Sequence, residues 1–344
     1  MKKHLLPECG NDYKANLHCH STISDGKLTP EEIKEAYKTH GYSIVAYTDH
    51  DVMIDHSDLS DADFLPLRGY EMEINEGDIS KPAPKKTCHM CLIALEPDNY
   101  KQVCYHRERY LFGNAPQYRD QVQFDETQPD FVREYSVECI SKIMQMGRDN
   151  GFFVTYNHPA WSLETYEQYA HYCGMHAMEI CNYGCVEMGY EDYTPMVYDE
   201  MLRTGKRIFC IAADDNHNGT GDRKYHDSFG GFTVIRADSL DYRTVTRALE
   251  NGDFYASMGP KIHDLYIEDN TVHITCSPAK FITLHCGARR SKRVAAKDGE
   301  LLTEASFEIR PDRDIYFRLG IHDENGNHAN TNAYFCDTVF AQSN

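Results

Sequence analysis

The stretch NLHCHSTISDG, residues 16–26, sets His18 and His20 two positions apart, with Asp25 just beyond. In an extended backbone, residues i and i+2 point to the same face, so both imidazoles can reach one ion. A short polar turn then brings the Asp25 carboxylate toward the same pocket. Other histidines keep comparable company. His50, His158 and His217 lie at or near the ends of apolar runs, beside small or acidic residues, and His89 opens such a run. With Glu71 and Asp215 these make nine candidate ligands, six imidazoles and three carboxylates. That donor set suits zinc, manganese or iron. It exceeds what one tetrahedral ion takes and fits a cluster of on the order of two or three divalent ions, with a carboxylate bridging.

Such a cluster lowers the pKa of a bound water toward neutrality and supplies hydroxide, and it polarises a phosphoryl or carbonyl oxygen. A metal-free His or Asp nearby can protonate the leaving group. No G-x-S-x-G elbow and no Walker loop occurs, which turns the reading away from a serine nucleophile or a nucleoside triphosphatase.

The elements that must position these residues alternate between strand and helix. Residues 16–20 read as a short strand ending in the histidines. Thr29, Pro30 and Glu32 form a helix start with a capping box, Ile33, Ala36 and Tyr37 supply its apolar stripe, and Gly41 ends it. YSIVAYTDHD is an apolar strand finishing in Asp49, His50 and Asp51. In β-α-β units chemistry gathers at the carboxyl ends of the strands. The pattern recurs at DFLPLRGYEMEI, at 87–95, at FFVTYNHPAW, at HAMEICNYG and at RIFCIAADDNH, with a helix expected over 137–146. Residues 98–135 are polar and aromatic with little periodicity, and read as an insertion that is helical in part. From 259 to 344 alternating strands joined by turns replace the helices, which predicts a small all-β domain after a first domain over 1–258.

Composition narrows the setting. A formal charge of −19 argues against broad binding to duplex nucleic acid but allows a small anionic substrate beside bound cations. No segment reaches the apolar length of a membrane span, and the N-terminus lacks the apolar core of a signal peptide. The 13 scattered cysteines fit a reducing, cytoplasmic setting. Cys88 and Cys91 have zinc-site spacing but no second pair, and read as small strand residues. Arg223 and Lys224, just after the last histidine motif, either clamp a phosphate or are solvated loop charges. Glu179 and Asn182 either touch substrate or support the site from behind. His226 stays open.

Taken in order, H-x-H with S-D-G, T-D-H-D, G-Y-E, a His-led apolar strand, N-H-P and D-x-H resemble the polymerase and histidinol phosphatase (PHP) superfamily of metal-dependent phosphoesterases over about residues 14–258. The tail is similar to members that append a β domain, including the branch that hydrolyses carbamate esters. The resemblance implies a distorted (β/α)7 barrel with the metal cluster at its carboxyl rim. It implies His18, His20 and Asp215 at a first ion, with Glu71 bridging to a second held by His89 and His158, and Asp25, His50 and His217 at a third. Glu71 is preferred to Glu73 because it follows the G-x of its motif, and Asp215 to Asp214 by the D-x-H spacing. Asp49 is expected to orient a ligand imidazole from behind. The function expected is hydrolysis of a small phosphate ester, such as a nucleotide or sugar phosphate. The alternatives are a carboxylic-ester or carbamate hydrolase on the same cluster, and a non-catalytic binding protein with a degenerate barrel.

Overall fold

In the computed structural model, which describes residues 2–77 and 85–341, seven strands are laid side by side in chain order. They are β1 (Asn11–Asn16), β2 (Ile44–Tyr47), β3 (Leu65–Asn75), β4 (Thr87–Ala94), β5 (Phe152–Tyr156), β6 (Ala177–Asn182) and β7 (Phe209–Ala213). β1, β2 and β3 run parallel, as do β5, β6 and β7. β4 runs antiparallel to both of its neighbours. Beyond β1 the sheet continues antiparallel through β8 (Phe232–Ala237) and β9 (Phe254–Ser257).

Helices occupy several of the connections. α1 (Pro30–Thr39) starts on the expected capping box, the Thr29 hydroxyl accepting from Glu32 N while the Glu32 carboxylate accepts from Thr29 N. It buries Ile33, Ala36 and Tyr37. α2 (Val137–Asp149) is capped by Ser136 and buries Ile140, Ile143 and Met144. α3 (Pro195–Arg203) precedes β7, and α4 (Tyr242–Asn251) links β8 to β9.

Alternate residues of all seven strands meet in one apolar cluster: Ala15, Ile44, Leu65 and Leu67, Ile93, Phe153, Ala177 and Ile211, with Val245 and Leu249 of α4 packed against them. Strand periodicity puts these on a common face. The ladders do not close into a ring among the described residues. Past the ladder ends, though, the segments that follow β1 and β7 are tied: Asp215 N donates to His18 O at 2.9 Å and His20 N to Asn216 O at 3.0 Å. β1 itself ends at Asn16, before the histidines expected to lie in it. There side chains replace ladder partners, with Cys19 N donating to the Thr48 hydroxyl at 3.0 Å and His18 N to Asn16 Oδ1 at 3.4 Å.

The 98–135 segment holds a single turn-rich helix, Ala115–Gln121, and two short paired strands, Lys101–Gln102 and Gln123–Phe124. It packs Tyr105, Ala115 and Val122 onto Ile23 and Val52, the loops that carry His20 and His50.

After 259 the regular elements are strands, apart from a short helix at Cys336–Val339: β10 (Ile262–Glu268), β11 (Thr271–Ala279), β12 (Phe281–Cys286), β13 (Lys292–Ala295), β14 (Leu302–Glu308), β15 (Tyr316–His322) and β16 (His328–Thr331). β10, β11 and β14 form a sheet with the N-terminal strand Lys2–His4, while β16 pairs with β9 and extends the main sheet. Buried Arg318 of β15 holds Asp199 of α3 through Nε and Nη2 at 2.8 and 2.7 Å. No helix among the described residues is long and apolar enough to cross a membrane.

Candidate metal centre

The loops after β1, β2, β5 and β7 and the sides of β3, β4 and β6 converge at one end of the sheet. All nine candidate ligands fall there, in overlapping groups whose donor atoms lie within 4.8 Å of one another. His18, His20, Glu71 and Asp215 form one group; Glu71, His89 and His158 a second; His20, Asp25, His50 and His217 a third. His89 joins although it begins its strand, because β4 is antiparallel and its start lies at the rim where the parallel strands end.

Glu71 is the hub. Its carboxylate stands 3.2 Å from His18 Nε2, 3.3 Å from His20 Nε2, 3.3 Å from His50 Nδ1, 3.2 Å from His89 Nδ1 and 3.4 Å from His158 Nε2. Asn157 Nδ2 donates to the same carboxylate at 3.0 Å. A carboxylate offers about four lone-pair sites, so these neighbours cannot all be hydrogen-bonded to it. The Glu73 carboxylate, by contrast, meets His89, at 3.8 Å, and Asn75 among the described residues.

The ring orientations are fixed from outside. His18 Nδ1 donates to Glu179 Oε1 at 2.7 Å, His217 Nδ1 donates to Asp215 O at 3.0 Å, and His158 Nδ1 meets Ser162 Oγ at 3.2 Å. Each ring therefore presents Nε2 to the cluster carboxylates, the arrangement that sets a ligand tautomer. Glu179 Oε2 also accepts from His158 N and Asn182 Nδ2. His158 and Asp215 have φ of +26° and +53°, left-handed values that cost non-glycine residues energy and collect at functional sites.

The charges respond to one another. Burial pushes the Glu71 carboxyl up, but the His18 and His89 imidazoles outweigh it and hold the group well below 4.5. Asp215 is held low in the same way by His18 and His20, again against burial. For His89 burial works downward and Glu71 upward, and Glu71 wins, at about 10. His50 goes the other way, to about 3, under burial and the repulsion of His20.

Three buried ligand atoms in this cluster, His50 Nδ1, His89 Nε2 and Asp215 Oδ1, have no hydrogen bond among the described residues. His18 Nε2 and His20 Nε2 face each other at 3.1 Å. Converging imidazole nitrogens and unpaired buried carboxylate oxygen are what divalent cations satisfy, so the residues fit a metal cluster.

The PHP domain family pattern matches residues 16–216, which span every candidate ligand except His217. The chain belongs to the PHP domain family. Among solved structures, this PHP chain is similar to a two-domain protein from Bacteroides vulgatus containing a PHP-like metal-dependent phosphoesterase, at 15% identity and a TM-score of 0.46, covering 95% of this chain and 96% of that one. It is also similar to a protein from Bifidobacterium adolescentis described as a metal-dependent phosphoesterase, at 16% identity, TM-score 0.39, and 63% and 93% coverage. A third is an amidohydrolase from Chromobacterium violaceum with bound sulfate and no metal, at 15% identity, TM-score 0.41, and 70% and 96% coverage. No curated protein matches the chain.

Around this PHP site some expectations need revising. Asp49 orients no imidazole. Its oxygens accept from Ser21 N, Ser21 Oγ, Ser24 N and Ser24 Oγ at 2.7–3.0 Å, so it holds the turn between His20 and Asp25. Asn182 is fully buried, with Nδ2 donating to Glu179 and Asp215 and Oδ1 accepting from Cys185 N, so it supports the site from behind. Arg223 is exposed, and neither it nor Lys224 lines the cavity over the cluster. Missed from the sequence are Asn157, which holds Glu71, and Asp227, whose Oδ2 accepts from His217 N and Asn218 N at 2.8 and 2.9 Å.

Proposed function

We propose that this chain is a metal-dependent hydrolase of a small phosphate ester, with a cluster of two or three zinc, manganese or iron ions held by His18, His20, Asp25, His50, Glu71, His89, His158, Asp215 and His217. The observation that carries the reading is Glu71, one buried carboxylate set within 3.4 Å of five imidazoles. Ions bound there supply Lewis acidity and an activated water. Glu71 bridges two of the groups, and Glu179 and Asn157 hold His18 and Glu71 in position. His226 lines the cavity but belongs to none of the ligand groups. Its Nδ1 donates to Arg223 O at 2.7 Å, which leaves Nε2 to carry the proton for the leaving oxygen. The sheet is read as a distorted barrel, supported by the shared interior of its seven strands and the hydrogen bonds joining the segments that follow β1 and β7. Residues 259–344 are read as an appended all-β domain, and the free thiols suit a reducing, cytoplasmic setting.

A carboxylic ester or carbamate is the second reading. One feature favours it: no lysine or arginine occurs among the described residues lining the cavity, so the ions alone would offset substrate charge. The test is an assay of protein loaded with zinc, manganese or iron on p-nitrophenyl phosphate and p-nitrophenyl acetate. Phosphate release lost in His20→Ala and Asp215→Ala is expected. Acetate hydrolysis without phosphate release would transfer the assignment to the second reading.

A further inference from the structure

Large apolar side chains gather at the mouth of the same cavity, which measures about 440 Å³. Phe112 is 50% exposed and Met188 64% exposed, and both line it, as does Trp161. Scattered exposed apolar residues need no explanation, but several converging beside a polar cluster mark a binding surface. The aromatic rings flank the cluster. Phe112 stands edge-on to His50 at 5.6 Å, while Trp161 stands edge-on to His89 and His158 at 5.2 and 5.0 Å.

Both aromatics are on built supports. The buried Asp192 carboxylate accepts from Ala160 N and Trp161 N at 3.0 and 2.7 Å and fixes the turn that presents Trp161. Phe112 is followed by Gly113, at φ +59°, where a Cβ would lie 2.3 Å from Ser24 O. Only glycine lets the insertion come that close, and Asn114 N then donates to Ser24 O at 2.6 Å. The 98–135 insertion is thereby docked on the loop carrying His20 and Asp25, with Phe112 at the cavity mouth. Met188 lines the same cavity and adds an exposed, adaptable thioether.

We propose that the group esterified to the phosphate is flat and apolar, an aryl or similar planar ring, held between Phe112, Trp161 and Met188 while the phosphate faces the ligand cluster. This rests on the phosphoester reading. Aromatic side chains favour flat partners stacked or edge-on at 4.5–7 Å.

Trp161 is the chain's single tryptophan and reports on the wall directly. Zinc-loaded protein is titrated with phenylphosphonate and methylphosphonate, which it cannot cleave, and Trp161 emission is followed. Phenylphosphonate is expected to bind about tenfold more tightly, equivalent to about 1.4 kcal/mol. Phe112→Ala and Met188→Ala are each expected to cut that ratio by about threefold. Both side chains are half or more exposed, so neither variant threatens the fold. Equal affinities, or a ratio untouched by both variants, overturn the proposal and leave the phosphoester reading standing. If neither phosphonate binds, the phosphoester reading falls and the aryl assignment with it.

Discussion

Asp51 and Arg133, 82 residues apart in the chain, form a buried bidentate pair, with Arg133 Nη1 donating to Asp51 Oδ2 at 3.0 Å and Nη2 to Oδ1. Asp51 follows His50 and sits at φ +58°. Arg133 also donates to Glu73 O at 2.9 Å and lies 4.3 Å over the Tyr110 ring. The pair therefore joins the end of the insertion to the strand ends carrying His50 and Glu71.

Removing one member of such a pair strands a buried charge. Arg133→Ala is expected to cost about 3–5 kcal/mol of stability. The double variant Asp51→Asn/Arg133→Met should recover a good part of it, since no unpaired charge is left. Urea unfolding of the variants measures both. A loss under about 0.5 kcal/mol in Arg133→Ala, the range of an ordinary surface change, would mean the pair does not anchor the insertion.

Glu179 supports His18 from behind and is sealed from the cavity. Glu179→Gln keeps the shape but weakens the acceptor for His18 Nδ1. Metal affinity is expected to fall about 10- to 100-fold, read by competition with a chromophoric zinc chelator. An unchanged affinity would assign Glu179 to packing alone.

What the sequence made legible, and what it hid, follows from geometry. Histidines at the ends of apolar strands stand out because a strand end in a β-α unit is where side chains meet, and Glu71 could be told from Glu73 by its motif. The reversal of β4 leaves no mark in composition, so His89 opens an apolar run where the other histidines lie near the ends of theirs, and the antiparallel pairing with β3 is the reason. Asp49 misled because it adjoins His50, yet neighbours in an extended chain point to opposite faces. Glu179 had a usable signal, a carboxylate inside the apolar run HAMEICN, where a buried charge demands a partner. The insertion showed no periodicity because it is held by turns, hydrogen bonds to the loops and ion pairs such as Arg107–Asp130 and Arg133–Asp51 rather than by a repeating apolar face.

Protons and metal compete for the same imidazoles. Burial lowers the His89 pKa, but Glu71 raises it further, to about 10. The sign follows from linkage. A histidine whose folded pKa is raised stabilises the fold fully below its unfolded value of 6.5, and that contribution is lost as pH rises through 10. The metal-free protein should therefore lose stability between about pH 6.5 and 10, while metal affinity climbs over the same range because the ligand must shed its proton. Thermal unfolding in a strong chelator and zinc affinity across this window test the two halves. A flat affinity profile would contradict the placement of His89 among the ligands.

His226 separates proton transfer from metal binding. It lines the cavity, its Nδ1 is committed to Arg223 O, and its nearest carboxylate, Asp227, lies 3.8 Å from Nε2. His226→Gln keeps a polar side chain of similar reach but cannot donate as an acid. Metal content should stay at the wild-type level, and kcat should fall about 10²- to 10⁴-fold for a substrate whose leaving group needs a proton. For p-nitrophenyl phosphate, whose leaving group departs as a stable anion, the loss should be much smaller. An equal loss for both substrates would make His226 a structural residue of the 221–231 loop and move the search for the acid elsewhere on the cavity wall.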